Sequence, residues 1–120
     1  MAVTKSFREF TDLIGEEISA VSFVRDYVEF HFDGPVLRAL CGPTIEFNGA
    51  KYEFPEAGSR DVLCSMIDST VENVEFVRDH HFGLWTSCGH RLTIPLNPDP
   101  PVDHECLNFT TPDPRNSQYW

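Results

Sequence analysis

Long apolar runs and basic residues are scarce in this sequence. Its 120 residues contain no apolar run of about 18 or more, the length that a membrane-spanning helix needs. Nine Lys and Arg stand against nineteen Asp and Glu, which gives a net charge of −10 and a pI near 4.7. Because these few positive charges are scattered, they form no patch for a phosphate backbone. We therefore expect neither a nucleic-acid partner nor a membrane partner.

Cysteine is also scarce, and its spacing forms no CxxC. Residues 1–6 carry no apolar segment of the kind that directs secretion, so we expect a cytoplasmic protein. Thiols stay reduced in that compartment, which predicts four free cysteines. Cys64 has apolar neighbours on a predicted helix, and we expect it in the core. The four are Cys41, Cys64, Cys88 and Cys106.

The usual signatures of catalytic and cofactor sites are absent from the sequence. No GxSxG, Walker loop, GxGxxG or HExxH occurs. The adjacent carboxylates Glu16 and Glu17 have poor geometry for shared acid–base work. We therefore predict no catalytic residue and no cofactor, and we do not expect an enzyme.

What the sequence does contain is a repeated phrase. Phe23-Val24-Arg25-Asp26 returns as Phe76-Val77-Arg78-Asp79, 53 positions later. Apolar positions before the phrase align at the same offset, and repeated apolar spacing predicts repeated packing. We expect the Arg-Asp pairs to be solvated turn residues. The aligned positions are Phe10 with Leu63, Leu13 with Met66, Ile14 with Ile67, and Ile18 with Val71.

Each copy predicts one short helix followed by three strands. Ser6 and Ser59 are the expected N-caps of helices about ten residues long. Alternating apolar residues then predict a three-stranded antiparallel meander, over 21–24, 28–32 and 36–40 in the first copy and over 74–77, 82–86 and 92–96 in the second. The three-residue spacing from Ile18 to Val21, and again from Val71 to Val74, predicts a β-bulge or a late strand start.

These elements predict an α+β fold class. We expect a duplicated helix plus three-stranded antiparallel meander with pseudo-twofold symmetry, its six main strands forming one sheet or a partly closed barrel. The single domain, 1–120, would comprise one repeat unit over 4–41, a connecting hairpin over 42–57, a second unit over 58–96 and an extended tail over 97–120. Asn48-Gly49 marks the turn of the hairpin. Residues 105–109 predict an edge strand, and Tyr119 and Trp120 would hold the tail on the body.

Histidine and cysteine concentrate between residues 80 and 106. Cys88 and His90 are two positions apart, as are His104 and Cys106, and such spacing on a strand places both side chains on one face. Structural zinc sites use other spacings, and Cys88 and His90 fall in a predicted turn. We therefore predict no metal ligand. The whole cluster is His80, His81, Cys88, His90, His104 and Cys106.

Trp85 is out of step with the apolar positions Phe82 and Leu84. Strand alternation therefore places it on the opposite face of the sheet. An exposed Trp on an acidic sheet would suit a hot spot for binding another protein. The alternative is that the tail or the second helix covers it.

The hydrophobic and glycine positions resemble those of a family of small bacterial proteins of unknown function. Members of that family look like two copies of one unit, with a Glu-rich final segment that ends in Trp. Glu105 and Trp120 would correspond to that segment, and the family supplies no catalytic residues. The size and acidity also resemble those of immunity proteins of toxin systems. The matching positions are Ile14-Gly15, Val21, Asp26-Tyr27, Phe30, Phe32-Asp33-Gly34, Leu63, Ile67, Val71, Leu84 and Gly89.

We expect the function to be non-catalytic binding of another protein. The acidic surface would attract a basic partner, for example a toxin that an immunity-type inhibitor neutralises. The alternative is a small-molecule or metal-binding domain that uses the cleft between the two repeats. If the third strand of each unit were an uncovered edge, a homodimer could form through it.

Overall fold

The protein is described by a computed structural model over residues 9–112 and 117–120. These residues form ten strands, one α-helix and one 3-10 helix. The 3-10 helix is Phe10–Leu13 and α1 is Ser59–Cys64. The strands are β1 (Ala20–Val24), β2 (Tyr27–His31), β3 (Val36–Ala39), β4 (Thr44–Phe47), β5 (Ala50–Glu53), β6 (Val71–Val77), β7 (His81–Thr86), β8 (Arg91–Pro95), β9 (Leu107–Thr110) and β10 (Ser117–Tyr119).

The strands form two antiparallel sheets. Sheet 1 has the order β1-β2-β3-β9-β10, and sheet 2 has the order β5-β4-β8-β7-β6. Alternate residues of both sheets are buried in one hydrophobic cluster, to which sheet 1 contributes Phe30 and Leu37 and sheet 2 contributes Leu84 and Leu92. The sheets therefore share a single core. Among the described residues, no helix is long and apolar enough to cross a bilayer.

The predicted α+β fold class is wrong. The two helical segments have four and six residues, and the strands lie in two sheets, not in one sheet or a partly closed barrel. The first helical pattern ends at Gly15 (φ +89°) after a single turn, and α1 is preceded by Gly58 (φ +86°). Ser59 is not the N-cap but the first, buried residue of α1. The other predicted cap, Ser6, lies outside the described residues.

The prediction of antiparallel sheet is confirmed. One meander, β1-β2-β3, lies in sheet 1, and another, β6-β7-β8, lies in sheet 2. Both irregular spacings are accounted for, because β1 starts late, at Ala20, and the register of β6 shifts between Val71 and Asn73. The repeated phrase ends at the β1–β2 and β6–β7 turns, where Arg25 (φ +52°) and Asp79 (φ +60°) have left-handed backbone. Both Arg-Asp pairs are exposed.

The segments outside the meanders add the other four strands. Asn48 (φ +53°) and Gly49 (φ +78°) form the turn between β4 and β5, and β4 pairs with β8. In the tail, β9 pairs with both β3 and β10, so it is an interior strand and not the predicted edge. Consequently neither third strand, β3 or β8, is an edge. The predicted homodimer through an uncovered third strand therefore has no edge to use.

The prediction of four free cysteines is wrong. Cys41 and Cys106 form a disulfide with their Cα atoms 4.6 Å apart. The pairing of Ala39 with Leu107 brings the two cysteines together, and the amides of Leu40 and Cys41 both donate to the carbonyl of Cys106. Cys64 is exposed rather than in the core, because its neighbour Leu63 occupies the buried face of α1.

Candidate binding site

An aromatic cleft lies where β6 of sheet 2 approaches the end of sheet 1. The ring of Phe10 is at its centre, with centroid distances of 5.3 Å to Phe76, 4.8 Å to Trp120 and 5.3 Å to Phe109. The cleft has a volume of about 180 Å³. Phe76 is 36% exposed although it is a large apolar residue. The lining residues are Glu9, Phe10, Phe76, Phe109, Gln118 and Trp120.

Backbone hydrogen bonds fix the walls of the aromatic cleft. The amide of Trp120 donates to the carbonyl of Leu107 (2.8 Å). The carbonyl of Trp120 accepts from the amides of Leu107 (2.9 Å) and Cys106 (2.5 Å). Glu9 stands at the start of the 3-10 helix, where its amide donates to the Asp12 carboxylate (2.9 Å), its carbonyl accepts from the Asp12 amide (3.1 Å), and its Oε2 accepts from the Thr11 hydroxyl (3.3 Å). A carboxylate therefore lies beside the rings.

Beside the cleft, β6 is the outermost strand of sheet 2 among the described residues. The amide of Gly15 donates to the carbonyl of Val71, and the amide of Val71 donates to the carbonyl of Glu16, both at 2.8 Å. Beyond this cover, no described strand pairs with residues 72–77 on the side away from β7. We call residues 72–77 the β6 edge. Its exposed side chains are Glu72, Asn73, Glu75, Phe76 and Val77.

The electrostatics of this region are negative. Glu9 lines the cleft and Glu72 and Glu75 are exposed on the adjacent strand, whereas no described basic residue lines the cleft. The aromatic ring faces add the negative side of their quadrupoles. Arg78 is exposed in the turn that follows the β6 edge, beside Asp79, whereas Arg38 is paired with Glu29 on sheet 1 (2.6 Å). Carboxylates therefore outnumber the positive charges described in this region.

Trp85 lies on the outer face of sheet 2, opposite the buried Leu84, as its position in the sequence predicts. Its ring lies over Gly83, where an added Cβ would come within 3.3 Å of it, and the guanidinium of Arg91 lies 5.2 Å from the ring centroid. Contacts within its own sheet therefore account for the half-buried state of Trp85, and we do not include it in the candidate site.

Ser65 and His90 resemble a nucleophile and its base, but their hydrogen bonds point the wrong way. The Ser65 hydroxyl lies 2.5 Å from the carbonyl of Val62, which can only accept, so its proton points there. The His90 Nε2, 2.8 Å from Ser65 Oγ, must then be the donor. On the other side, Thr86 Oγ1 accepts from the His90 amide and donates to Nδ1 (2.7 Å). The network is structural, and Ser65 is not activated.

Burial favours the neutral form of His90. The side chain is 1% exposed, and Phe47 stacks on it with ring centroids 4.3 Å apart. Desolvation by burial lowers the pKa of His90 below its usual value of 6.5. The neutral ring with its proton on Nε2 satisfies every hydrogen bond described above.

The other members of the histidine and cysteine cluster are dispersed. His80 and His81 form a pair with Nδ1 atoms 2.5 Å apart, and His81 Nε2 contacts Glu75 at 2.7 Å. Cys106 is in the disulfide, and Cys88 is exposed in a turn. Across residues 9–112 and 117–120, no group of three or more His, Cys, Asp and Glu side chains is placed to hold a metal ion.

A second polar network covers the outer face of sheet 1. Burial works to raise the pKa of Glu29, but the hydrogen bond and charge of Arg38 and the contact with His31 outweigh it, and the net effect lowers that pKa. Arg38 also donates to Asn108 Oδ1 at 2.7 Å and to Thr110 Oγ1 at 3.2 Å. These groups satisfy one another across three strands and leave no open site.

Sequence reasoning missed the aromatic cleft. It placed Phe10 on a helix face and Phe76 in a repeated phrase, with no reason to join them. Trp120 was the one signal, since we expected its ring to hold the tail on the body, as it does. Tyr119, expected to pack with it, is 60% exposed. The sequence suggested Glu9 only as the capping-box partner of Ser6, inside the expected helix, whereas Glu9 is itself the N-cap of the 3-10 helix.

Comparison with family models, with curated proteins and with solved structures finds no match for this chain. The resemblance to small bacterial proteins of unknown function therefore remains a prediction.

Proposed function

We propose that this protein is a non-catalytic module that binds a basic protein through the β6 edge and the adjoining aromatic cleft. The observation that carries the proposal is the composition of that edge: Phe76 and Val77 are more than a third exposed and share the strand with the exposed carboxylates Glu72 and Glu75. An inhibitor of a basic toxin is one protein of this kind.

The chemistry of a strand edge supports a protein as the ligand. Unpaired amides and carbonyls on an edge accept an extended segment of another chain, and the alternate side chains set the specificity. The net charge of −10 would steer a basic partner toward the surface and raise its association rate. The exposed aromatic ring of Phe76 is the type of residue that dominates interface energies.

A second copy of this chain is a poorer partner for the same edge. Two copies, each with a charge of −10, repel each other. Pairing of two β6 edges would also place Glu72 and Glu75 of both copies in one interface, where like charges are unfavourable.

Small-molecule binding in the aromatic cleft is the second candidate. The cleft lies between the two sheets, each of which holds one meander, and its lining is mainly aromatic. Its volume of about 180 Å³ is well below the roughly 300–1,000 Å³ of typical ligand pockets. This size favours a single side chain or a fragment over a whole cofactor.

The cellular compartment is a separate question from the binding surface. The sequence favours a cytoplasmic location, whereas the disulfide between Cys41 and Cys106 argues against it. Disulfides persist in oxidising compartments and are uncommon where thiols are kept reduced. The proposed binding surface is the same in either location.

Affinity capture with matched charge variants tests the proposed function. The wild-type protein, the variant Glu72→Lys/Glu75→Lys and the control Glu53→Lys/Glu56→Lys are immobilised and exposed to lysate of the source cell. Both variants change the net charge equally, but only the first alters the β6 edge. We expect wild type and control to retain a basic protein in about 50 mM NaCl and to release it in about 500 mM, since salt screens exposed charges.

The β6 variant should bind the purified captured protein at least about tenfold more weakly than the control does, because it places like charges against the partner. Equal binding by the two variants would show that the charge of the chain, not the β6 edge, holds the partner. Capture of no basic protein by the wild type would overturn the proposal altogether.

A further inference from the structure

We infer that the aromatic cleft receives one cationic side chain, a lysine or an arginine, from the partner protein. The source of the side chain rests on the proposed function, whereas the preference of the cleft for a cation rests on its own residues. This side chain would anchor the partner beside the β6 edge.

The shape of the cleft fits one long side chain. Phe10 and Phe76 stack with centroids 5.3 Å apart and planes at 29°. Trp120 is tilted by 48° to Phe10 at 4.8 Å and meets Phe76 edge-on at 5.5 Å and 63°, so its ring stands at an angle to the stacked pair. A volume of about 180 Å³ is of the order of one lysine or arginine side chain and too small for a larger ligand.

The charge around the cleft selects for a cation over an apolar group. A cation over an aromatic face is attracted by the ring quadrupole. Glu9 is part of the lining, and its carboxylate accepts a hydrogen bond from the Thr11 hydroxyl (3.3 Å). The polar lining otherwise consists of Gln118. The cleft thus offers aromatic faces and one negative charge.

The chain makes the same kind of contact elsewhere with its own arginines. Arg60 lies 5.0 Å from the ring centroid of Phe54, and Arg91 lies 5.2 Å from that of Trp85. At the aromatic cleft, by contrast, no basic residue among those described lies over the rings. A cation of the partner would supply at the aromatic cleft the contact that Arg91 supplies at Trp85.

Two single-tryptophan variants provide the reporters, because the chain has only two tryptophans. Trp85→Phe leaves Trp120 as the fluorophore inside the cleft. Trp120→Phe leaves Trp85 as a matched reporter on the outer face of sheet 2. The probes are N-acetyl-lysine methylamide and N-acetyl-arginine methylamide. Their neutral isosteres, the norleucine and citrulline methylamides, have nearly the same shape without the charge.

We expect the cationic probes to change Trp120 emission saturably in the millimolar range, at least about fivefold more tightly than their neutral isosteres. Glu9→Gln and Phe76→Leu in the Trp85→Phe background should each weaken binding several-fold. Equal binding of charged and neutral probes would overturn the inference in favour of a purely apolar groove. An equal response from Trp85 in the Trp120→Phe variant, or none from Trp120 up to about 50 mM probe, would also overturn it.

The probe titration and the affinity capture can fail independently. If the probes fail while capture still depends on Glu72 and Glu75, the module binds its partner without a cation in the cleft. If the probes succeed while capture fails, the cleft binds cations but the β6 edge is not a protein-binding surface.

Discussion

At the scale of single residues, His90 shows how burial decides chemistry. Its ring is sealed by Phe47 and hydrogen bonded on both nitrogens, by Thr86 on one side and Ser65 on the other. The imidazolium form would carry a proton on Nδ1 and could no longer accept from the Thr86 hydroxyl. The folded protein therefore binds a proton at His90 less readily than the unfolded chain does.

This difference predicts a dependence of stability on pH. The unfolded chain has an ordinary histidine pKa near 6.5 and the folded pKa is lower, so the unfolded state binds more protons between the two values. The contribution of His90 to the free energy of unfolding should therefore be complete above about pH 6.5 and should decrease as the pH falls from there to the folded pKa. Below the folded pKa, His90 causes no further decrease.

Urea denaturation at a series of pH values checks this expectation. His90→Gln removes the titration, so its midpoint should fall less steeply than that of the wild type between about pH 6.5 and 5. An NMR titration of the His90 ring gives the folded pKa independently. A folded pKa above 6.5, or identical pH profiles for the two proteins, would contradict the prediction.

At the scale of elements, the disulfide fastens the tail into sheet 1. It joins the end of β3 to the start of β9 across a sequence separation of 65. β9 in turn carries β10 and, through Leu107, the backbone of Trp120. The cross-link therefore supports one wall of the aromatic cleft as well as the sheet.

Removal of the cross-link should be costly. Closing a loop of this length restricts the unfolded chain by about 4 kcal/mol in the chain-entropy relation, within the roughly 2–5 kcal/mol seen when native disulfides are removed. We expect Cys41→Ser/Cys106→Ser to lower the free energy of unfolding by an amount in this range, measured by urea denaturation.

The matched control is Cys64→Ser/Cys88→Ser, which replaces the two exposed free cysteines and should leave stability within about 0.5 kcal/mol of the wild type. Alkylation of the unreduced, unfolded wild-type protein should modify two cysteines. Modification of all four, or equal stability of the two double variants, would contradict the disulfide as a stabilising element.

At the scale of the whole molecule, Phe10 joins the two sheets. It contacts Phe76 and Phe82 of sheet 2, Phe109 of sheet 1, and Trp120. Sheet 1 and sheet 2 share one hydrophobic core. A side chain that packs on both sheets therefore contributes to their association.

Phe10→Ala should therefore destabilise the protein by about 2–3 kcal/mol, below the roughly 3–5 kcal/mol for a fully buried Phe because Phe10 is only half-buried. Tyr119→Ala is the control: it also truncates an aromatic ring near the tail, but one that is 60% exposed, so its effect should stay within about 0.5 kcal/mol. Equal midpoints for the two variants would show that Phe10 does not hold the sheets together.

The sequence by itself determined the local strand structure. Alternation of Val28, Phe30 and Phe32 with polar residues predicts a half-buried strand, and β2 has that burial pattern. Asn48-Gly49 determined a tight turn, because both residues accept positive φ. These features depend only on neighbours along the chain, and for that reason they could be read without the structure.

Only the tertiary structure decided the rest. Phe10, Leu13 and Ile14 have helical spacing, but the helical segment ends at Gly15 after one turn. The periodicity of the apolar residues therefore did not set the length of this segment. The connecting hairpin joined sheet 2 and the tail joined sheet 1, so two sheets formed where one was expected. The disulfide and the aromatic cleft both arise from this assembly, because each joins residues far apart in the sequence.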